Sequence, residues 1–126
     1  MIEKQIEKDF LSGNSAVERK LADVVAVHVS KVKNGVVYID VQSPNIENQL
    51  KEYIDDSADL SYEDIEKKIM ELLDSSLVQK QSFELVYKET DDGYMIYYTD
   101  DFGNAISCGL VSLYRDLMKV YGNRLI

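Results

Sequence analysis

Apolar residues recur along this chain at two different spacings, and each change of spacing marks an element. Ile2, Ile6 and Phe10 stand four apart, which predicts a short helix over residues 2–11 with these three on one face. Ser12-Gly13-Asn14-Ser15 ends it. Residues 16–22 read either as a second helical turn or as an irregular entry to a sheet. Residues 24–33 and 36–42 are rich in valine and flank Asn34-Gly35, which predicts a β-hairpin. Loop length decides which valines share a face, because a slip of one residue exchanges the two faces. A two-residue Asn34-Gly35 loop sets Val25, Val27 and Val29 against the face of Val37, Ile39 and Val41. A three-residue Lys33-Asn34-Gly35 loop, with Gly35 left-handed, puts all six on one face, and that continuous apolar surface favours it. The same register sets His28 opposite Asp40, and Ser30 opposite Tyr38, on the other face.

Ser43-Pro44 then reads as the end of the strand and the start of a helix, with Ser43 as N-cap and Pro44 at the first helical position. Ile46, Leu50, Tyr53 and Ile54 continue at helical spacing. Ser61 and Asp64 form a capping-box pair, and Leu60 with Ile65 a hydrophobic staple, ahead of a helix that buries Ile65, Ile69, Leu72 and Leu73. Period two returns at Phe83, Leu85 and Tyr87. A two-residue Asp92-Gly93 turn points Leu85 toward Asp100, sets Tyr87 opposite Tyr98, and brings Ile96 to the same face. Asp100-Asp101 suits the positive end of a helix dipole. One long final helix follows, with the stripe Phe102, Ile106, Leu110, Leu113, Leu117 and Tyr121, closed by Gly122-Asn123. The order is helix, hairpin, two helices, hairpin, helix. It predicts a single α+β domain over residues 1–126, with a four-stranded antiparallel sheet covered by helices on one face.

Composition narrows this picture. The chain has 126 residues, 45% hydrophobic and 29% charged, which fits a globular domain with a buried core. The net charge is −9, and residues 45–76 hold ten acids against three lysines. Such a surface repels phosphate backbones, so no nucleic-acid partner is expected. No apolar run reaches the roughly 18 residues of a membrane span. The charged start Met1-Ile2-Glu3-Lys4 shows no signal peptide, which fits a cytoplasmic chain and equally one whose leader has been removed. One cysteine, Cys108, and one histidine, His28, leave no intrachain disulfide and no multi-histidine metal site. No metal and no cofactor are expected. Asp55-Asp56, Asp91-Asp92 and Asp100-Asp101 lack the alternating spacing of a calcium loop and suit turns and helix caps.

Two groups of residues carry candidate chemistry. His28, Asp40 and Tyr38, with Ser30 beside them, are the best candidate set for acid–base work, since a carboxylate can orient an imidazole and favour its charged form. The same residues also fit ordinary cross-strand pairs on an outer sheet face. Met95, Tyr97 and Val86 should share that outer face and could form an interface. Strand propensity alone also accounts for tyrosines there.

Two segments resemble the nuclear transport factor 2-like (cystatin-like) superfamily. They are Val36-Val37-Tyr38-Ile39-Asp40-Val41-Gln42-Ser43-Pro44-Asn45-Ile46, and Asp92-Gly93-Tyr94-Met95-Ile96 with Asp100-Asp101-Phe102, Ala105-Ile106 and Gly109-Leu110. More narrowly, they are similar to small domains of unknown function in surface lipoproteins of Gram-positive bacteria. A tryptophan usually stands at the place of Tyr94 in those domains, and Gly-Gly-Leu at that of Cys108-Gly109-Leu110. The resemblance spans residues 24–112. It implies a curved sheet around helices, a homodimer packed through the sheet, and a cell-surface or secreted setting. No catalytic motif of the superfamily's enzymes is present. The expectation is a non-enzymatic module that binds a protein or a small ligand. The alternatives are a small isomerase-like or hydrolase-like enzyme using His28 and Asp40, and an acidic inhibitor or immunity-type protein that binds a basic partner through residues 45–76.

Overall fold

The computed structural model describes residues 2–57 and 60–121, with side chains of the last helix described through Arg115. Two helices, α1 (Ile2–Phe10) and α2 (Ala16–Val24), precede the hairpin β1 (Ala26–Lys33) and β2 (Val36–Pro44). Next come α3 (Glu47–Asp55), α4 (Tyr62–Ser75), the hairpin β3 (Val78–Thr90) and β4 (Gly93–Tyr97), and finally α5 (Asp100–Ile106) and α6 (Leu110–Tyr121). The strands form one open antiparallel sheet in the order β1-β2-β3-β4. The expected α+β class and the helical reading of residues 16–22 both hold.

The first hairpin reaches the expected faces by a different route. Its loop is the two-residue Asn34-Gly35, both at positive φ (53° and 78°), and Lys33 pairs with Val36. Those two angles twist the turn to match the strands. The extra residue that aligns the valines sits inside β1 instead. The register shifts between Val29, paired with Ile39, and Lys31, paired with Tyr38. Ser30 is therefore the bulge residue, and its hydroxyl donates to the Tyr38 carbonyl at 3.2 Å. His28 does pair with Asp40, whereas Lys31, not Ser30, stands opposite Tyr38.

Strand β2 continues through Ser43 and Pro44, which pair with Gln79 and Val78. Ser43 is buried rather than capping a helix, and its hydroxyl donates to the Ala105 carbonyl at 2.7 Å. The α3 start is held otherwise: Asn45 Oδ1 accepts from the Glu47 amide at 3.0 Å, and the Ile46 amide donates to the Cys108 carbonyl at 3.0 Å. The α4 start is as read, since Ser61 and Asp64 complete a reciprocal capping box.

The second hairpin turns one residue early, on Asp91-Asp92, and Gly93 (φ 147°) opens β4 opposite Thr90. Tyr87 therefore pairs with Ile96 rather than Tyr98. The shift is two positions, so every side chain keeps its predicted face.

The long final helix is in fact two. Cys108 (φ 60°) and Gly109 (φ 87°) are both left-handed. The Gly109 amide reaches the Asn104 carbonyl (2.9 Å) and the Cys108 amide the Ala105 carbonyl (3.2 Å), the paired bonds that terminate a helix. Across the break Phe102, Ile106 and Leu113 are buried in one core, and Leu110 packs against it. Arg115 in α6 reaches across the break to Asp100 at 3.0 Å. The predicted stop at Gly122-Asn123 lies outside the described residues, and the side chains of Leu117 and Tyr121 lie outside those described.

One core unites the layers. Inner-face Val37, Ile39, Val41, Leu85 and Ile96 meet Ile6, Ile46, Leu50, Leu73, Phe102 and Ile106 from the helices, all buried. Phe102 is fully enclosed at its centre, stacked on Tyr98 (5.5 Å, 7°) and edge-on to Phe10 and Phe83. The Tyr98 hydroxyl donates to Asp9, which ties α1 to the end of β4.

Candidate functional site

The described apolar residues of α1 to α6 pack on the inner side, and among the described residues the outer face of the sheet carries only its own side chains. Even-numbered positions of β2 and β3 form its centre, and the pairing arranges them in rows. Lys33, Val36, Val86 and Tyr97 make one row, Lys31, Tyr38 and Glu84 the next, and His28, Asp40 and Ser82 a third. Lys80 lies beyond Ser82 along β3, and Lys88 pairs with Met95. The expected acid–base group and the expected interface group thus occupy adjoining parts of one surface.

The third row places Asp40 between two strands, and its closer partners are on β3. Ser82 Oγ donates to Asp40 Oδ1 at 2.7 Å, and Lys80 Nζ stands 3.7 Å from Oδ2. The Ser82 hydrogen bond, followed by the Lys80 charge, holds the Asp40 carboxyl below the usual carboxylate range. A lowered pKa makes a carboxylate a weaker proton acceptor at neutral pH. His28 turns the other way. Its side chain is 75% exposed, and Nδ1 approaches Glu3 Oε1 at 3.8 Å. That same Glu3 oxygen accepts from the Val29 amide at 3.3 Å, so α1 caps the outer edge of β1 there. Tyr38 lies under Lys31, whose Nζ is 5.6 Å from the ring centre. Between them is an open depression of about 210 Å³, lined by Ser30, Tyr38, Asp40, Ser82 and Glu84.

The structure therefore brings His28, Asp40 and Tyr38 to one face as predicted, and divides them among different partners. Each belongs to a cross-strand or edge pair. Ser82, Lys80 and Glu84 went unnoticed in sequence because their placement depends on how β2 pairs with β3, across a connection that contains two helices. Glu3 was missed because it reaches the sheet from α1.

The interface candidates stand where they were expected. Val86, Met95 and Tyr97 are each more than half exposed on the outer face (56%, 53% and 53%). Val36 extends this strip, and Val78 (58%) lies further along β3. Charge is divided between the layers. Among the described strand residues, the outer face carries Lys31, Lys33, Lys80 and Lys88 against Asp40 and Glu84, whereas the acid excess of residues 45–76 lies on and around α3 and α4.

Cys108 is buried, and burial pushes its thiol up to about 12. Its position is set by the left-handed turn between α5 and α6. Among the described residues no three acidic, histidine or cysteine side chains converge as metal ligands. No helix among them is long and apolar enough to cross a membrane. No family model, curated protein or solved structure matches the chain.

Proposed function

We propose that this chain is a non-enzymatic interaction module of the nuclear transport factor 2-like type, which self-associates through the outer face of its sheet. The observation that carries this reading is the apolar strip Val86, Tyr97 and Met95, each more than half exposed, with partly buried Val36 beside them, on the face that no described helix covers. Monomeric proteins tend to keep contiguous apolar patches small, and larger ones mark contacts. Tyrosine and methionine are also enriched at the centres of protein interfaces. The resemblance over residues 24–112 supports the same reading, since it implies dimers packed through the sheet. The polar group next to the strip fits a rim role. Asp40 already has its hydrogen bond from Ser82 and its lysine, and His28 is open to water.

Sedimentation velocity of the wild-type chain and of a Val86→Lys/Tyr97→Lys double variant tests this. The expected result is a wild-type dimer and a monomeric variant, with unchanged far-UV circular dichroism. A wild-type chain that is monomeric at every loading concentration removes self-association. A variant that remains dimeric removes the outer face as its site.

A further inference from the structure

The described residues of the helices leave part of the inner face open. Near the tips of both hairpins, a cleft of about 460 Å³ lies between the first turn of α1 and the sheet. Val29 and Val32 of β1 form an apolar side, and Tyr87 of β3 with Tyr94 of β4 forms an aromatic one. The two rings meet edge to face, with centres 5.9 Å apart. Glu3, from α1, and Glu89, from β3, add a carboxylate on either side, Glu3 with its Oε1 already accepting from the Val29 amide and 3.8 Å from His28 Nδ1. Val32 is 46% exposed although it shares the inner face with fully buried Val37, because nothing among the described residues covers it.

The side chains of this cleft favour one ligand chemistry, against the positive end of the α1 dipole at Ile2 and Glu3. Aromatic rings attract a cation through the negative potential of their faces. Carboxylates add a charge of the same sign, and a polyanion or phosphate would be repelled by both glutamates. The valines and Ile2 provide contact for an apolar body and no hydrogen bonds from their side chains. The volume falls in the range that holds a small ligand. We infer that the cleft between α1 and the hairpin tips binds an organic cation, an ammonium group carried on an apolar body. The lysines of the outer sheet face lie on the other side of the sheet and do not neutralise this site. The site is independent of the proposed self-association, which uses that other side.

Benzyltrimethylammonium is a suitable probe, titrated into the ¹⁵N-labelled full chain and followed by amide chemical shifts. The expected result is saturable shifts confined to Val29, Val32, Tyr87, Glu89 and Tyr94, with a Kd on the order of 1 mM, the range open to a ligand of about a dozen atoms. The uncharged tert-butyl analogue should bind at least about fivefold more weakly, as loss of the cation–π contact requires. Glu89→Gln, on an exposed strand position, should weaken the cation about threefold without changing the spectrum elsewhere. Tyr94→Leu should weaken it about fivefold while keeping an apolar side chain there. Equal binding of the charged and uncharged probes would overturn the inference. So would shifts confined to the outer face, or no saturable shifts at all.

Discussion

Replacing Gly109 by alanine tests how the chain divides its last helical stretch. Gly109 sits at φ 87°, and a Cβ built on it would lie 2.6 Å from Asn45 Oδ1 and 3.0 Å from Glu47 Cβ. A left-handed conformation costs a residue with a Cβ about 1–2 kcal/mol. Asn45 must also move, and its carbonyl oxygen is the acceptor that holds the Glu47 amide at the start of α3. Losing that bond adds about 1 kcal/mol. The expected destabilisation is about 2–3 kcal/mol, read as a lower urea midpoint with an unchanged slope. Gly103 gives an internal comparison. It lies within α5, and a Cβ there would meet nothing within 4 Å. Gly103→Ala should raise stability by about 0.5–1 kcal/mol, the ordinary gain of alanine over glycine in a helix. If Gly109→Ala leaves the midpoint unchanged, the left-handed break and its contact with α3 are wrong. If both substitutions stabilise, residues 100–121 form one continuous helix.

Other substitutions probe the joins between layers. Ser43→Ala removes the buried hydrogen bond to the Ala105 carbonyl, and about 1 kcal/mol should be lost in chemical denaturation. Ser61→Ala removes one half of the α4 capping box and should cost about 1 kcal/mol by the same assay. Burial, with the Asp9 hydrogen bond and charge, raises the Tyr98 pKa, and burial raises that of Cys108. Both groups are acids with folded values above their unfolded ones. Their contribution is therefore complete below the unfolded pKa values of 10.0 and 9.0, and falls as pH rises through the window above them. The stability difference between wild type and Tyr98→Phe should accordingly shrink above about pH 10. A difference that grows with pH would refute the assignment. The Cys108 thiol should resist a maleimide at neutral pH in the native state and react once the chain is unfolded.

Much of the candidate surface was legible in sequence because strand periodicity is a local property. The alternation of Val37, Ile39 and Val41 with Tyr38 and Asp40 assigns the faces of β2 without knowledge of any neighbour. The alternation around Tyr97 and Met95 does the same for β4. Both predicted loops were misplaced, yet the faces were right. In β1 the Ser30 bulge supplies the residue that the loop was expected to supply. In the second hairpin the error is an even number of positions. Burial of the apolar face constrains parity, and several combinations of loop and bulge satisfy it equally well.

The chain by itself determined the α+β class, the antiparallel hairpins, the α4 cap and the separation of an apolar from a polar sheet face. These rest on contacts between residues near one another in sequence, where spacing alone decides which side chains meet. Tertiary structure decided the rest. Ser43 is a reasonable helix cap until α5 arrives to offer the Ala105 carbonyl. The stripe from Phe102 to Leu113 suits a single helix until α3 requires the left-handed turn at Cys108-Gly109. Asp40 has His28 as its evident partner until β3 brings Ser82 and Lys80 closer. The cleft at the hairpin tips exists only because α1 packs beside strands β1, β3 and β4, which are distant from one another in sequence. In each case the deciding group comes from an element distant in sequence, and its approach depends on how the helices and sheet pack rather than on the local pattern of residues.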